Sequence, residues 1–401
     1  MNLEDADINN YQDSQFMDQK IRGFAKQLVK SIFTNDGQPM PRTNLHEFHT
    51  FDYELWGWTH RTRPAPTLDR KQYCTLRKNF DRLTGWLIIL QEIVSASASN
   101  QVLLKRQLFY KHIDQFSSQM HSDKTIQEIA YYLKVPRYSL KIEATGKGLV
   151  ASKTLELFML SDPSQNFNIG FMTEVQGGFV IKNALNLGVT NLESVDFVLI
   201  VEKETVYSEL IESGYFQHDF FSKSVLVTGK GYPDFNTKYL LRKIFERRPE
   251  TPFFYLGDGD PHGYEIFLTY LFGSQKSAYD HTYLPVIWQI GVDISDFWGA
   301  DWKNAVVGQL EKLELTDGWK IMEMLQREYF SETCWKENIG VGENWDSSRE
   351  VFLRCQIVKL ERVKNNLRAV MEIGRKAEVE SVKFLGVSLL EYAKVKISQV
   401  L

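Results

Sequence analysis

The chain has 401 residues, 43% hydrophobic and 24% charged, with a formal net charge of −4. That length allows two or three domains with cores of their own, and the balance is that of a soluble globular protein. Its three cysteines (Cys74, Cys334 and Cys355) are too scattered for a disulfide scaffold or a Cys/His zinc cluster, which points to a reducing, intracellular compartment.

The opening stretch MNLEDADINNYQDSQ is acidic and polar, unlike a signal peptide or a mitochondrial presequence. Residues 1–70 read as an N-terminal extension closed by a Pro/Thr/Arg-rich linker, Thr59–Lys71. An apolar-periodic pattern from Gln72 to about Ala98 predicts a helix. Its WLIIL run, Trp86–Leu90, is the longest apolar run and far too short to span a bilayer. NQVLLKRQLFYKHIDQF (Asn100–Phe116) carries Val102, Phe109, Ile113 and Phe116 at helical spacing. TIQEIAYYLKV (Thr125–Val135) predicts a further amphipathic helix. PRYSLKIEATGKGLVASK (Pro136–Lys153) then reads as a turn into two short strands around Gly146 and Gly148. Helix, helix and β-ribbon are the outline of a winged helix. Between Gln101 and Leu155, nine Lys/Arg face four Asp/Glu, a local charge of +5 that leaves −9 on the remainder. Such asymmetry suits a surface that meets a polyanion, although a solvated basic face is the plainer reading.

The second half changes rhythm. DFVLIVE (Asp196–Glu202), SVLVTG (Ser224–Gly229) and PFFYLGD (Pro252–Asp258) are continuous apolar runs, as in strands buried on both faces, with helical stretches between them. This alternation predicts a doubly wound α/β domain, followed by charged C-terminal helices. Ligands collect at the carboxyl ends of such strands. The predicted ends carry Glu202, the Gly229–Lys230–Gly231 loop, and Asp258 with Asp260. Convergent carboxylates form a hard-oxygen site suited to Mg²⁺, and Lys230 is placed to reach a phosphate. A lone Asp-x-Asp is more often a solvated turn or a helix cap. An EF-hand loop is excluded, because its twelfth position would be Thr269 and a strand precedes it.

Arg106 and Tyr110 are separated by four residues and share one helical face. A phenol ordinarily titrates near pH 10. A neighbouring guanidinium favours the phenolate and can stabilise charge growing on phosphorus. The plainer reading is a half-buried tyrosine packed beside Phe109.

Taken together, KRQLFYKHIDQF, VPRYSLKIEATGKGLVAS, LIVEKE, TGKGYPDFNTK, DGDPHG and RKAEVESV resemble, in order, motifs of one family. Its members are the topoisomerase VI A subunit, and with it a eukaryotic relative, the meiotic double-strand-break transesterase, whose yeast-like members look most similar. The resemblance runs from about residue 75 to the C-terminus. Three positions depart from its pattern: Gln107 for a common Asp, Lys238 for Arg, and His262 for a frequent Tyr.

The resemblance implies a winged-helix domain at 71–155, a linker region at 156–190, and a Toprim (topoisomerase–primase) domain with helical extension at 191–401. It implies that Tyr110 is the nucleophile that becomes joined to a DNA 5′ phosphate, with Arg106 orienting it. Glu202, Asp258 and Asp260 would hold Mg²⁺, and Lys147, Lys230 and Tyr232 would contact DNA. Implied partners are double-stranded DNA, a second copy forming hybrid sites, other meiotic recombination proteins, and a topoisomerase VI B-like subunit. The implied compartment is the nucleus, with no membrane partner. Two alternatives remain: an A subunit of a strand-passing topoisomerase, and a non-catalytic DNA-binding component of a recombination complex.

Overall fold

The computed structural model describes residues 17, 19–26, 49–52, 57–60, 76–99, 101–133, 135–160, 162–167, 177–273, 280–297, 305–331 and 347–401. Most of the expected extension 1–70 and of the linker Thr59–Lys71 lies outside them, as do Cys74 and Cys334. Contacts divide the chain into two units, one built largely on Trp58–Thr145 and the other on Gly146–Gly273 with Thr282–Leu401.

The first unit is helical: α1 (Leu76–Ala98), α2 (Lys105–Lys111) and α3 (Gln119–Leu133). On α1, Trp86, Ile89, Leu90 and Ile93 recur every one to four residues and are buried. Ile126, Ile129, Ala130 and Leu133 do the same on α3. Each of the isoleucines and leucines among them contributes about 1.5–3 kcal/mol when fully buried. Glu128 is buried with them, yet satisfied: the Trp86 indole and Arg82 Nε both donate to its Oε2 at 3.0 Å. Met17 and Ile21, from the expected extension, join this core.

Two expectations need correction here. The helical spacing of Asn100–Phe116 spans a break. Leu103–Leu104 pair in parallel with Ile142–Glu143, and the helix covers only Lys105–Lys111. The ribbon expected within Pro136–Lys153 does not close this unit either. Leu149–Ser152 instead enters the sheet of the second unit, where all four residues are buried: each pairs with a residue of Val225–Thr228 on one side, and Leu149 and Val150 pair with Val180 and Phe179 on the other.

That sheet has six strands: β1 (Leu149–Ser152), β2 (Phe179–Val180), β3 (Val198–Val201), β4 (Val225–Thr228), β5 (Phe253–Leu256) and β6 (Ile287–Gly291). Their order is β6-β5-β3-β4-β1-β2. β3 pairs in parallel with β4 on one side and β5 on the other, Val198 lying opposite both Val225 and Phe253. β1 runs antiparallel to β4. Helices α4 (Glu204–Glu212), α5 (Phe235–Arg247) and α6 (Pro261–Phe272) follow β3, β4 and β5. The chain therefore leaves β3 in one direction to β4 and crosses back to β5, which opens a crevice at the carboxyl end of β3.

The expected linker 156–190 is also corrected, because it holds strands. Asp162–Phe167, Glu156–Met159 and Leu187–Thr190 form a three-stranded antiparallel sheet with Leu157, Leu187 and Val189 buried. Towards the C-terminus, α7 (Leu315–Leu325), α8 (Ser347–Ile373) and α9 (Leu389–Ser398) are the expected charged helices. RKAEVESV is not helical at its start. Arg375–Lys376 is a short strand, and Val379–Leu385 forms a 3₁₀ turn.

Candidate active site

Two of the predicted acids, Glu202 and Asp258, meet at the crevice because each follows a strand that is buried throughout, and Asp260 lies two residues further on. VLIV of β3 ends at Glu202, and FFYL of β5 ends at Gly257 and Asp258. Glu202 and Asp258 are both buried. Glu202 Oε2 accepts hydrogen bonds from the Asp258 backbone N–H and the Tyr255 hydroxyl, each at 3.0 Å. Asp258 Oδ1 accepts from the Val379 N–H at 2.9 Å, and its Oδ2 lies 3.0 Å from the Lys203 ammonium.

Burial, together with the nearby Glu202 charge, pushes the Asp258 carboxyl up to about 8, even against the pull of Lys203. Glu202 is raised as well, first by burial and then by the charge of Asp260. Two like charges in a dry crevice resist joint ionisation, so this site favours a compensating cation.

Asp260 is the N-cap of α6. Its Oδ1 accepts from the Gly263 N–H at 2.6 Å, and Pro261 occupies the first turn. The helix-cap reading of Asp-x-Asp is thus correct for one oxygen of Asp260. A β-carbon at Gly263 would sit 2.2 Å from the Asp258 carbonyl oxygen, so only glycine lets α6 start this close to the acids.

Among the described residues, Glu202 Oε1 and Asp260 Oδ2 carry no hydrogen bond. No cluster of three or more His, Cys, Asp or Glu close enough to hold a metal is formed among those residues. The donor set still fits a hard divalent cation in kind: carboxylate oxygens, two of them on groups whose ionisation is disfavoured without positive charge.

The second predicted group lies beside it, after β4. The Lys147 N–H donates to Asp234 Oδ2 at 2.8 Å, and its ammonium to the Lys230 carbonyl at 3.0 Å. Lys230 (φ +53°) and Gly231 (φ +83°) turn the loop sharply, and the Lys230 ammonium pairs with Glu204 at 2.8 Å. Lys147 is correspondingly part of this loop system and not of a wing on the first unit. Tyr232 is 44% exposed; its hydroxyl donates to Glu265, which also receives Lys320 at 2.5 Å and Arg327. Burial works against the Glu265 carboxylate, but these donors outweigh it and hold the group down to about 2.

Tyr110 and Arg106 belong to the first unit and lie on α2. Leu108 turns into the core, leaving Arg106 and Tyr110 exposed on the other face. At 66% exposed, Tyr110 is more open than the half-buried tyrosine of the plainer reading. Its ring lies 5.4 Å from that of Phe109. Lys105 pairs with Asp123 on α3 at 2.9 Å, while Lys111 (2.8 Å) and His112 (2.9 Å) both reach Glu92 on α1.

Sequence reasoning did not single out Lys203, Tyr255 or the backbone of Val379. Lys203 and Tyr255 stand in the strand motifs themselves, which is a signal that could have found them. The pairing of Gly259 with Ala377 joins stretches more than a hundred residues apart, which no local pattern reveals.

The family model for the Toprim domain shared by the topoisomerase 6 A-subunit and Spo11 matches residues 197–351, and one for type IIB DNA topoisomerase matches 81–142. The chain is 30% identical over 335 residues to meiotic recombination protein SPO11 of Homo sapiens, covering 80% of this chain and 78% of that protein. It is 29% identical over 323 residues to the Mus musculus protein of that name, with 80% and 78% coverage. For meiotic recombination protein spo-11 of Caenorhabditis elegans the identity is 30% over 260 residues, 64% of this chain and 57% of that one. Toprim domains generally bind metal, and the acids described above lie within the matched span. With both family models in chain order and a relative at this identity aligned over most of both lengths, the chain belongs to the family of the topoisomerase 6 A-subunit and Spo11.

Proposed function

We propose that this protein is a topoisomerase-like transesterase that makes DNA double-strand breaks in meiosis and so initiates recombination. The observation that carries the reading is the solvent-exposed Tyr110 with Arg106 one turn before it, in a chain whose second unit sets Glu202 and Asp258 together at strand ends within the span matched by the Toprim family model.

In the reaction, the Tyr110 oxygen attacks a DNA phosphorus and gives up its proton. The new P–O bond joins tyrosine to the 5′ phosphate as the bond to the 3′ oxygen breaks, and that oxygen leaves as a hydroxyl after gaining a proton. Arg106 favours the phenolate and offsets charge on the phosphoryl oxygens. The phosphodiester energy is kept in the tyrosyl bond, so cutting needs no ATP. Glu202, Asp258 and Asp260 would hold Mg²⁺, which when bound supplies Lewis-acid stabilisation of the phosphate and leaving oxygen. Lys147 and Lys230 contact phosphates, and Tyr232 rests against the duplex.

The first unit acts as a winged-helix DNA-binding domain. Two copies join so that the tyrosine of each works with the acids of the other, cutting both strands. Further recombination proteins, with a B-like subunit, complete the assembly in the nucleus. Among the described residues, no helix is long and apolar enough to cross a membrane.

The test is covalent capture. The purified complex is incubated with plasmid DNA and Mg²⁺, denatured, and attached DNA is end-labelled. Wild type is expected to carry label, and Tyr110→Phe to lose it by about a thousandfold or more. Label surviving in Tyr110→Phe would place the nucleophile elsewhere.

A further inference from the structure

The acidic crevice carries its own cation. Lys203 follows Glu202 directly and is the N-cap residue of α4 with extended backbone, so its side chain turns back over the strand ends. Its ammonium lies 3.0 Å from Asp258 Oδ2, 3.1 Å from Glu380 Oε2 and 3.7 Å from Glu378 Oε1. One ammonium thus sits between an inner buried acid and two outer acids that are partly exposed.

The outer acids are fixed to the crevice. Val379, between them, donates its N–H to Asp258 Oδ1 at 2.9 Å. Gly259 N–H donates to the Ala377 carbonyl at 2.6 Å, and Ala377 N–H returns a bond to Gly259 at 3.3 Å. The C-terminal segment therefore moves with the Asp-x-Asp loop, and a rotation of the lysine stem alone changes which carboxylate its ammonium favours.

We propose that Lys203 is the resident counterion of the acid site, and that Glu378 and Glu380 receive its ammonium when a divalent cation takes Asp258. The three residues together then set how tightly the site holds that cation. The inference rests on the assignment of Glu202, Asp258 and Asp260 as the cation ligands. Like charges a few ångströms apart repel strongly in a part-buried site, so an ammonium held on Asp258 weakens cation binding, and an outer acid pair that draws it off restores that binding. Removing the lysine and removing the outer acids should consequently have opposite effects. A purely structural role would move both in the same direction.

The probe is Mn²⁺ binding to the full-length protein without DNA, followed by the electron paramagnetic resonance signal of the free ion. Glu202→Gln is the reference for the site itself. Lys203→Met is expected to tighten Mn²⁺ binding by about tenfold, and the double substitution Glu378→Gln/Glu380→Gln to weaken it by about fivefold. Lys203→Arg should stay near wild type. Circular dichroism and thermal melting establish that each variant is folded. The glutamine pair, on partly exposed side chains, keeps the test open if Lys203→Met does not fold.

Unchanged or weaker binding in folded Lys203→Met overturns the inference, as does unchanged binding in the glutamine pair, provided that Glu202→Gln has lost the ion. If Glu202→Gln binds Mn²⁺ as wild type does, the ligand assignment itself falls and the inference falls with it.

Discussion

Tyr110 depends on how firmly its seven-residue helix is held. A helix that short has no stability of its own in water. It is kept by Leu108 in the core, by Lys105 on Asp123, and by Lys111 and His112 on Glu92. Burial would raise the Glu92 carboxyl, but hydrogen bonds from Lys111 and His112 prevail and hold it below its usual range. Losing such charge-assisted bonds costs about 1 kcal/mol here, because Lys111 is largely exposed. Glu92→Gln should therefore lower covalent-adduct yield about fivefold, with DNA affinity unchanged in a gel-shift titration. Equal loss in binding and cutting would mean that Glu92 supports the whole surface and not the tyrosine's position. The Arg106–Tyr110 spacing was legible because i and i+4 meet on any helix. Glu92 was not, since its partners lie 19 and 20 residues away on another helix.

Among the elements, the three parallel strands were readable because burial on both faces leaves uninterrupted apolar runs. Glu202, Lys230 and Asp258 followed as strand-end residues for the same reason. Leu149–Ser152 was misplaced because its partner, β4, lies more than seventy residues on. The 156–190 strands were missed because DPSQNF is polar and reads as a turn.

Helix α8 adds a feature hidden by its charged sequence. Lys359 is buried, donating to the Pro285 carbonyl at 2.7 Å with its ammonium 4.6 Å from the centre of the Trp288 ring. Burial pulls this lysine down to about 7. The unfolded chain then binds a proton that the folded chain does not between about pH 7 and the ordinary lysine range near 10.4, so this residue's contribution makes stability rise with pH across that window. Lys359→Met should remove that rise and stabilise the protein at pH 7 by a few kcal/mol, as read by denaturant melts at pH 7 and 9.5. An unaltered pH slope would contradict this reading of α8.

On the scale of the whole molecule, a net negative chain must meet a polyanion through local basic groups. Lys147 and Lys230 cluster at one loop of the second unit. DNA affinity is expected to fall steeply as salt rises. Lys147→Ala or Lys230→Ala should each reduce the slope of log affinity against log salt by about 1, uniformly across DNA sequences. An unchanged slope would remove that lysine from the phosphate contacts. Division of the chain into a helical unit bearing Tyr110 and a sheet unit bearing the acids was legible from the change of rhythm along the sequence. Entry of residues 146–152 into the second unit was not, because the basic composition of Gln101–Leu155 runs unbroken across the boundary.

Everything proposed for the activity converges on one bond. The DNA-linked protein, recovered after reaction and trimmed with nuclease and protease, should yield by mass spectrometry a peptide spanning Lys105–Lys111 with a nucleotide 5′ phosphate on Tyr110. A nucleotide on any other residue, or a 3′ phosphate link at Tyr110, would contradict it.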